Sequence, residues 1–321
     1  MRTFIPLLTA LVALNVSAGP PNLPDTLDSD NGLYRLRYDD NIYSVHYMPP
    51  ALIQSNADAL DRIGVESQGY PLGYHDGYVD LGFLAPYFST SPGDVPFWAC
   101  GNPANAADDC DNGLANPSAI TMPSDFFRNR SASCNRMILG HELFHHVEYA
   151  YINAGAGSVN GCGGTFGKTV CEGMARAMQD KIYFDLDLNP GASCAAPFLG
   201  EADSYLDNPD RALWTASYGA ALFWTYLMEQ YGTFNEEPYR GADFIRAWWE
   251  IAQDHTDAPN PADITRQAIQ IFAPTHSFTN AYHDFTIANL VKDLNVLAIP
   301  AQQRARYTYV DEQAVLGQNN L

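Results

Sequence analysis

The sequence predicts an α+β fold, with a small N-terminal sheet subdomain and an α-helical C-terminal subdomain on either side of a cleft. Three observations carry this. Short runs of β-forming residues, split by turn residues, recur in the first 122 residues of the 321-residue chain. From residue 134 onward, apolar positions recur at helical spacing in six successive segments. Gly, Pro or Asn stands between most of those segments, and no internal repeat or low-complexity stretch interrupts them.

Residues 1–18 have the layout of a secretory signal peptide: Arg2, an apolar run from Phe4 to Val16, and a small-residue exit at Ser17-Ala18. Pro6, Thr9 and Asn15 keep that run short of the roughly 18 apolar residues of a membrane anchor. The expected destination is the extracellular medium or the periplasm. Residues 19–32, with Pro20, Pro21, Pro24 and several Asp and Asn, read as a flexible leader. Residues 33–321 are expected to form the folded domain, with an α/β subdomain over 33–151 and a helical subdomain over 152–300.

Leu33–Tyr38 and Ile42–Tyr47 flank Asp39-Asp40-Asn41 as a β-hairpin. Ala51–Ile63 has helical spacing, and Tyr78–Phe88 and Ala119–Met122 are further strand candidates. Residues 89–118 form a loop region. Its cluster Asp108-Asp109-Cys110-Asp111-Asn112-Gly113 departs from an EF-hand loop and reads as solvated turns rather than a calcium site. The helical segments then run Arg136–Tyr151, Val170–Asp185, Arg211–Tyr231, Ala242–Asp254, Ala262–Phe272 and Ser277–Leu294. One short strand, Tyr307–Val310, is expected in the tail.

Charge excludes several partners. Against 17 Lys and Arg stand 37 Asp and Glu, a formal net charge of −20. Such a surface repels nucleic acid and anionic lipid, whose binding needs basic groups to neutralise phosphates. Neither nucleic acid nor, after signal cleavage, a membrane is an expected partner, and the sequence assigns no oligomeric state. The six cysteines (Cys100, Cys110, Cys134, Cys162, Cys171, Cys194) are an even number, as three disulfides in an exported chain require. Cys100–Cys110 and Cys162–Cys171 close short loops and leave Cys134 for Cys194, one of several possible connectivities. No pair has the C-x-x-C spacing of cysteine-ligated zinc.

The chemistry concentrates in His141-Glu142-Leu143-Phe144-His145. Four residues apart in a helix, His141 and His145 share one face and can meet one metal ion. Glu142 is offset round the helix, where it serves as general base toward a metal-activated water. Met137, Ile138, Leu139, Leu143, Phe144 and Val147 supply apolar packing, and Gly140 permits close approach. A catalytic zinc takes three protein ligands and keeps a fourth position for water. Glu148 and Tyr151 stand where the metzincin pattern has its Gly and third His, so an acidic ligand from another helix is needed. Glu172, 27 residues after His145 and beside Cys171, is the leading candidate; Glu148, one turn beyond His145, is a rival and Asp180 a weaker one. The other histidines (His46, His75, His146, His255, His276, His283) lack partner spacing and read as structural or exposed.

With His141, Glu142, His145 and Glu172 in this order, the chain resembles the gluzincin metallopeptidases, the group that includes thermolysin and aminopeptidase N. It is most similar to poorly characterised secreted bacterial metalloproteases with H-E-x-x-H, E-[GA]-x-A and a Y-G helix. Cys171-Glu172-Gly173-Met174-Ala175, the stretch Tyr218-Gly219 to Tyr231-Gly232, and Phe285-Thr286-Ile287-Ala288-Asn289 carry that likeness over residues 134 to about 295. The resemblance implies a zincin-like fold and a secreted zinc peptidase acting on a peptide or protein substrate, with Tyr218 stabilising the oxyanion. Two departures stand out. Arg176 occupies the place of the Asp that orients the first His in thermolysin-like enzymes, and no G-x-M-E-N-like exopeptidase signature precedes the motif. The competing readings are a non-catalytic secreted binding protein on the same scaffold, against which the intact Glu142 argues, and a zinc hydrolase of non-peptide substrates.

Overall fold

The computed structural model describes residues 26–30, 33–38, 41–46, 74–87, 94–99, 114–116, 119–122, 132–155, 161–182, 195–208, 211–236, 239–255 and 259–291. The signal and most of the leader, the helix expected over Ala51–Ile63, the cluster Asp108–Gly113, the other two expected disulfides and the strand expected at Tyr307–Val310 lie outside what is described. The backbone traces six strand segments: β1 (Thr26–Asp30), β2 (Leu33–Tyr38), β3 (Asn41–His46), β4 (Asp94–Ala99), β5 (Leu114–Asn116) and β6 (Ala119–Met122). Their ladders run in the order β1-β2-β3-β4-β6-β5. Only Ala115 and Ile120 among them have side chains placed in the packing.

The body whose packing is described is 76% helical, and the strand segments contribute only Ala115 and Ile120 to it. That corrects the expected α+β class: among the described residues the neighbours of α2 are helices and helical turns, apart from β5, where Ala115 meets Glu142 and Tyr149. The physical reason lies in where burial falls. Runs such as Leu33–Tyr38 pair their backbone groups on the next strand, and the described core is built mainly by apolar faces at helical spacing.

Nine helices make up the described helical part: α1 (Tyr74–Asp80), α2 (Ala132–Gly155), α3 (Gly161–Thr165), α4 (Lys168–Ile182), α5 (Ala195–Leu206), α6 (Ala221–Tyr231), α7 (Ala242–Ala252), α8 (Pro261–Phe272) and α9 (Phe278–Val291). The central pair is α2 against α4, and α4 also packs on α6 and on the 3-10 turn Ser217–Ala220. From Gly140 to Tyr149 every described α2 residue is buried, so this helix runs through the interior rather than along the surface. Trp224, Trp248 and Trp249 are fully buried beyond it, in edge-to-face contact with Phe166 and one another.

Several expectations change locally: β4 and β5 fall within the expected loop region 89–118, and β1 within the expected leader. The expected strand Tyr78–Phe88 is not one over its described residues 78–87: α1 ends there, with Gly82 at φ +85°, Phe83 N–H bonded to the Tyr78 carbonyl and Gly82 N–H to the Val79 carbonyl. This is a Schellman stop, which needs the left-handed backbone that glycine adopts readily. The β-forming Tyr78 serves the helix instead, its hydroxyl donating to the Gly140 carbonyl at 2.8 Å. Arg211–Tyr231 is not one helix either. It splits into 3-10 turns at Leu213–Thr215 and Ser217–Ala220 before α6 begins. Among the described residues, no helix is long and apolar enough to cross a membrane.

Candidate metal centre

His141 and His145 stand one turn apart on α2, and α4 brings Glu172 to them across the helix pair. His141 Nε2 lies 3.2 Å from His145 Nε2 and 3.3 Å from Glu172 Oε2. The third side of the triangle, His145 Nε2 to Glu172 Oε2, is 3.4 Å. Ligand atoms about 2.05 Å from a tetrahedral zinc are about 3.3 Å apart, so this triangle has the size of one face of such a site. The donor set, two imidazoles and a carboxylate, also suits zinc. Among the described residues the only other metal-competent grouping is Glu148 with Cys162 and Cys171, and its two sulfurs are joined in a disulfide.

Electrostatics sharpen the arrangement. Burial lowers the His141 pKa to about 3, against the hydrogen bond that Glu172 accepts, so this imidazole is neutral with a lone pair to offer. Burial also opposes charge on His145, but the Glu148 carboxylate outweighs it and raises the pKa well above the usual value. Glu148 Oε2 lies 2.8 Å from His145 Nδ1, which donates to it. That bond turns Nε2 toward the triangle, as a carboxylate does behind a metal-bound imidazole. Burial would raise Glu172, yet its hydrogen bonds to both histidines hold the carboxyl far below the ordinary range. The His145 imidazole thus lies between the carboxyls of Glu148 and Glu172, and burial raises the Glu148 pKa to about 7.

Glu142 is buried, and desolvation raises its pKa to about 7; His145 and the Ala115 backbone amide pull it down, Glu172 pushes it up. Tyr218 opens onto the same site from the turn before α6. Its ring centroid is 5.8 Å from that of His141, at an interplanar angle of 32°. Its hydroxyl bonds to Glu172, and burial raises its pKa. Arg176, one turn after Glu172 on α4, lies with its guanidinium carbon 4.9 Å over the Tyr218 ring.

The structure therefore brings together His141, His145, Glu172, Glu142 and Tyr218. Glu148, the rival third ligand, instead stands behind His145, and the Asp180 side chain is outside the described residues. His146 turns away to the Tyr87 carbonyl at 2.7 Å, and His276 pairs with Asp284 at 3.5 Å. His283 is 70% exposed at its side chain, and His255 is exposed as well. Sequence reasoning missed the role of Glu148, although its spacing of three from His145 places both on one helix face. It also missed Glu201 on α5, a helix that was not anticipated at all. In comparisons with known proteins, the sequence matches no family model and no curated protein.

Proposed function

We propose that the chain is an exported zinc metallopeptidase of the gluzincin type, hydrolysing peptide bonds in peptide or protein substrates. The observation that carries this reading is the closed triangle of His141, His145 and Glu172, with buried Glu142 on the same helix. When bound, zinc supplies Lewis acidity that polarises the scissile carbonyl and acidifies the attacking water. Glu142, with a pKa raised toward neutrality, takes the proton from that water and returns it to the leaving amine. Tyr218 keeps its proton at neutral pH and can donate a hydrogen bond to the oxygen that becomes negative. Glu148 fixes the tautomer and orientation of His145.

Elemental analysis of the protein spanning residues 19–321, dialysed without chelator, tests the reading together with a peptide-cleavage assay. The expected result is about one zinc per chain, lost in His145→Ala, with Glu142→Gln keeping zinc and losing turnover. A protein that takes up no zinc, or a Glu142→Gln variant that turns over peptide at the normal rate, would overturn it.

A further inference from the structure

Tyr218 is held by more contacts than a ring in an amphipathic helix requires. It follows Ser217, the only described non-glycine residue with positive φ, at +51°. Left-handed backbone costs an ordinary residue energy and persists only where neighbours enforce it. Thr169 on α4 is one such neighbour: its hydroxyl accepts from the Ser217 N–H at 3.4 Å and donates to the Leu213 carbonyl at 3.1 Å. Gly219 is another. A side chain there would meet the Glu201 carbonyl at 3.2 Å and the Tyr205 Cβ at 3.1 Å, so α5 lies directly on the turn.

Over the Tyr218 ring sits Arg176, and its guanidinium is immobilised at three nitrogens. Nε lies 3.1 Å from Glu201 Oε2, Nη2 lies 3.3 Å from Glu201 Oε1, and Nη1 lies 3.2 Å from Gln179 Oε1. A two-bonded Arg–carboxylate pair is the stiffest ionic contact side chains make. Gln179 is fully buried, and the Arg176 side chain is only 15% exposed. Here the family's orienting Asp is replaced by a cation that faces the tyrosine rather than the first histidine.

We propose that Arg176, pinned by Glu201, is a positioning residue that holds Tyr218 over Glu172 in the orientation needed to meet the developing oxyanion. This rests on the peptidase reading above. A phenol held in place before reaction needs no reorganisation when charge appears, and misplacing such a donor costs rate rather than substrate affinity. The pair acts as one device, so losing either half should free the ring.

Two measurements on Arg176→Met and Glu201→Gln test this. In the zinc-loaded proteins each variant should lower kcat by about tenfold with KM and zinc content unchanged, Arg176→Lys should recover only part, and the double variant should be no worse than Arg176→Met. In metal-free protein with ring-labelled tyrosine, assigned through Tyr218→Phe, NMR should show faster Tyr218 ring flips in both variants than in the wild type. Unchanged kcat in both variants, losses that multiply in the double variant, or unchanged ring flipping would each overturn the proposal. If Arg176→Met fails to fold, Glu201→Gln carries both measurements. If the zinc-loaded wild type cleaves no peptide, the peptidase reading fails, while the ring measurement still decides whether the pair holds Tyr218.

Discussion

A carboxylate becomes a useful base near neutral pH only where burial lifts it, and Glu142 is so placed. It is 5% exposed, and desolvation brings its pKa to about 7. A base must be ionised, so its activity is present above its pKa and falls as the pH drops below it. Cation binding draws the value down from its metal-free level of about 7. We therefore expect kcat/KM to rise with pH on the acid side, about tenfold per unit below the inflection, and to level off before pH 7. A pH–rate profile under conditions that keep zinc bound checks this; a profile flat down to pH 4 would exclude Glu142 as the base. At this scale much was legible. His141, Glu142 and His145 are named by a spacing that any helix turns into a cluster, and Glu172 by the need for an acidic third ligand. The role of Glu148 was open, because a sequence shows that two residues share a face but not which atom of an imidazole each neighbour takes. Arg176 was legible only as a departure, since its partner Glu201 belongs to a helix that the spacing did not reveal.

Among the elements, the contact of α4 with the Ser217–Ala220 turn and α6 decides where Glu172 can sit. Gly173, the next residue, is what lets them approach. A side chain there would lie 3.0 Å from the Ala220 Cβ and 3.0 Å from the Trp224 ring. Neither neighbour can easily give way: Ala220 is short and fully buried, and Trp224 is fully buried with its indole N–H bonded to the Thr169 carbonyl at 2.9 Å. Gly173→Ala should thus push α4 outward despite alanine's better helix propensity. Overpacking of this kind costs about 1–3 kcal/mol, against roughly 1 kcal/mol gained by replacing a helical glycine. We expect lower thermal stability and weaker zinc retention together, read by calorimetry and chelator competition; a stabilised variant with normal zinc affinity would show that the contact yields. The long helices were readable because their apolar period persists over several turns, and α2, α4, α7, α8 and α9 lie close to their expected spans. The split of Arg211–Tyr231 was not, because tertiary contacts from Thr169 and α5 impose the Ser217 conformation on a segment whose local pattern is helical.

For the whole molecule, a metal at this site would tie α2 to α4 through side chains alone. The fold class was misread at this scale for a related reason: runs of β-forming residues announce strands, but not what those strands pack against. In the described body the load falls on helix contacts, and the ligand triangle spans the most extensive of them. Beside it the Cys162–Cys171 disulfide, with its Cα atoms 5.8 Å apart, joins α3 to α4 one residue before Glu172. It fixes the chain entering α4 whether or not a cation is bound, so a metal-free protein should keep its fold and lose only the metal's share of stability. A ligand that binds the folded state alone stabilises it by about 4 kcal/mol when its free concentration exceeds Kd a thousandfold. At roughly 2–4 °C per kcal/mol for a body of this size, removing zinc should lower Tm by about 10 °C. Differential scanning calorimetry before chelation, after it, and after zinc is returned measures this. A reversible drop, absent in His145→Ala, is expected from a cation that links the two helices. An unchanged Tm in a protein whose zinc has been shown to leave would mean that the zinc was held weakly, or held as well by the unfolded chain, and would count against the triangle as its site.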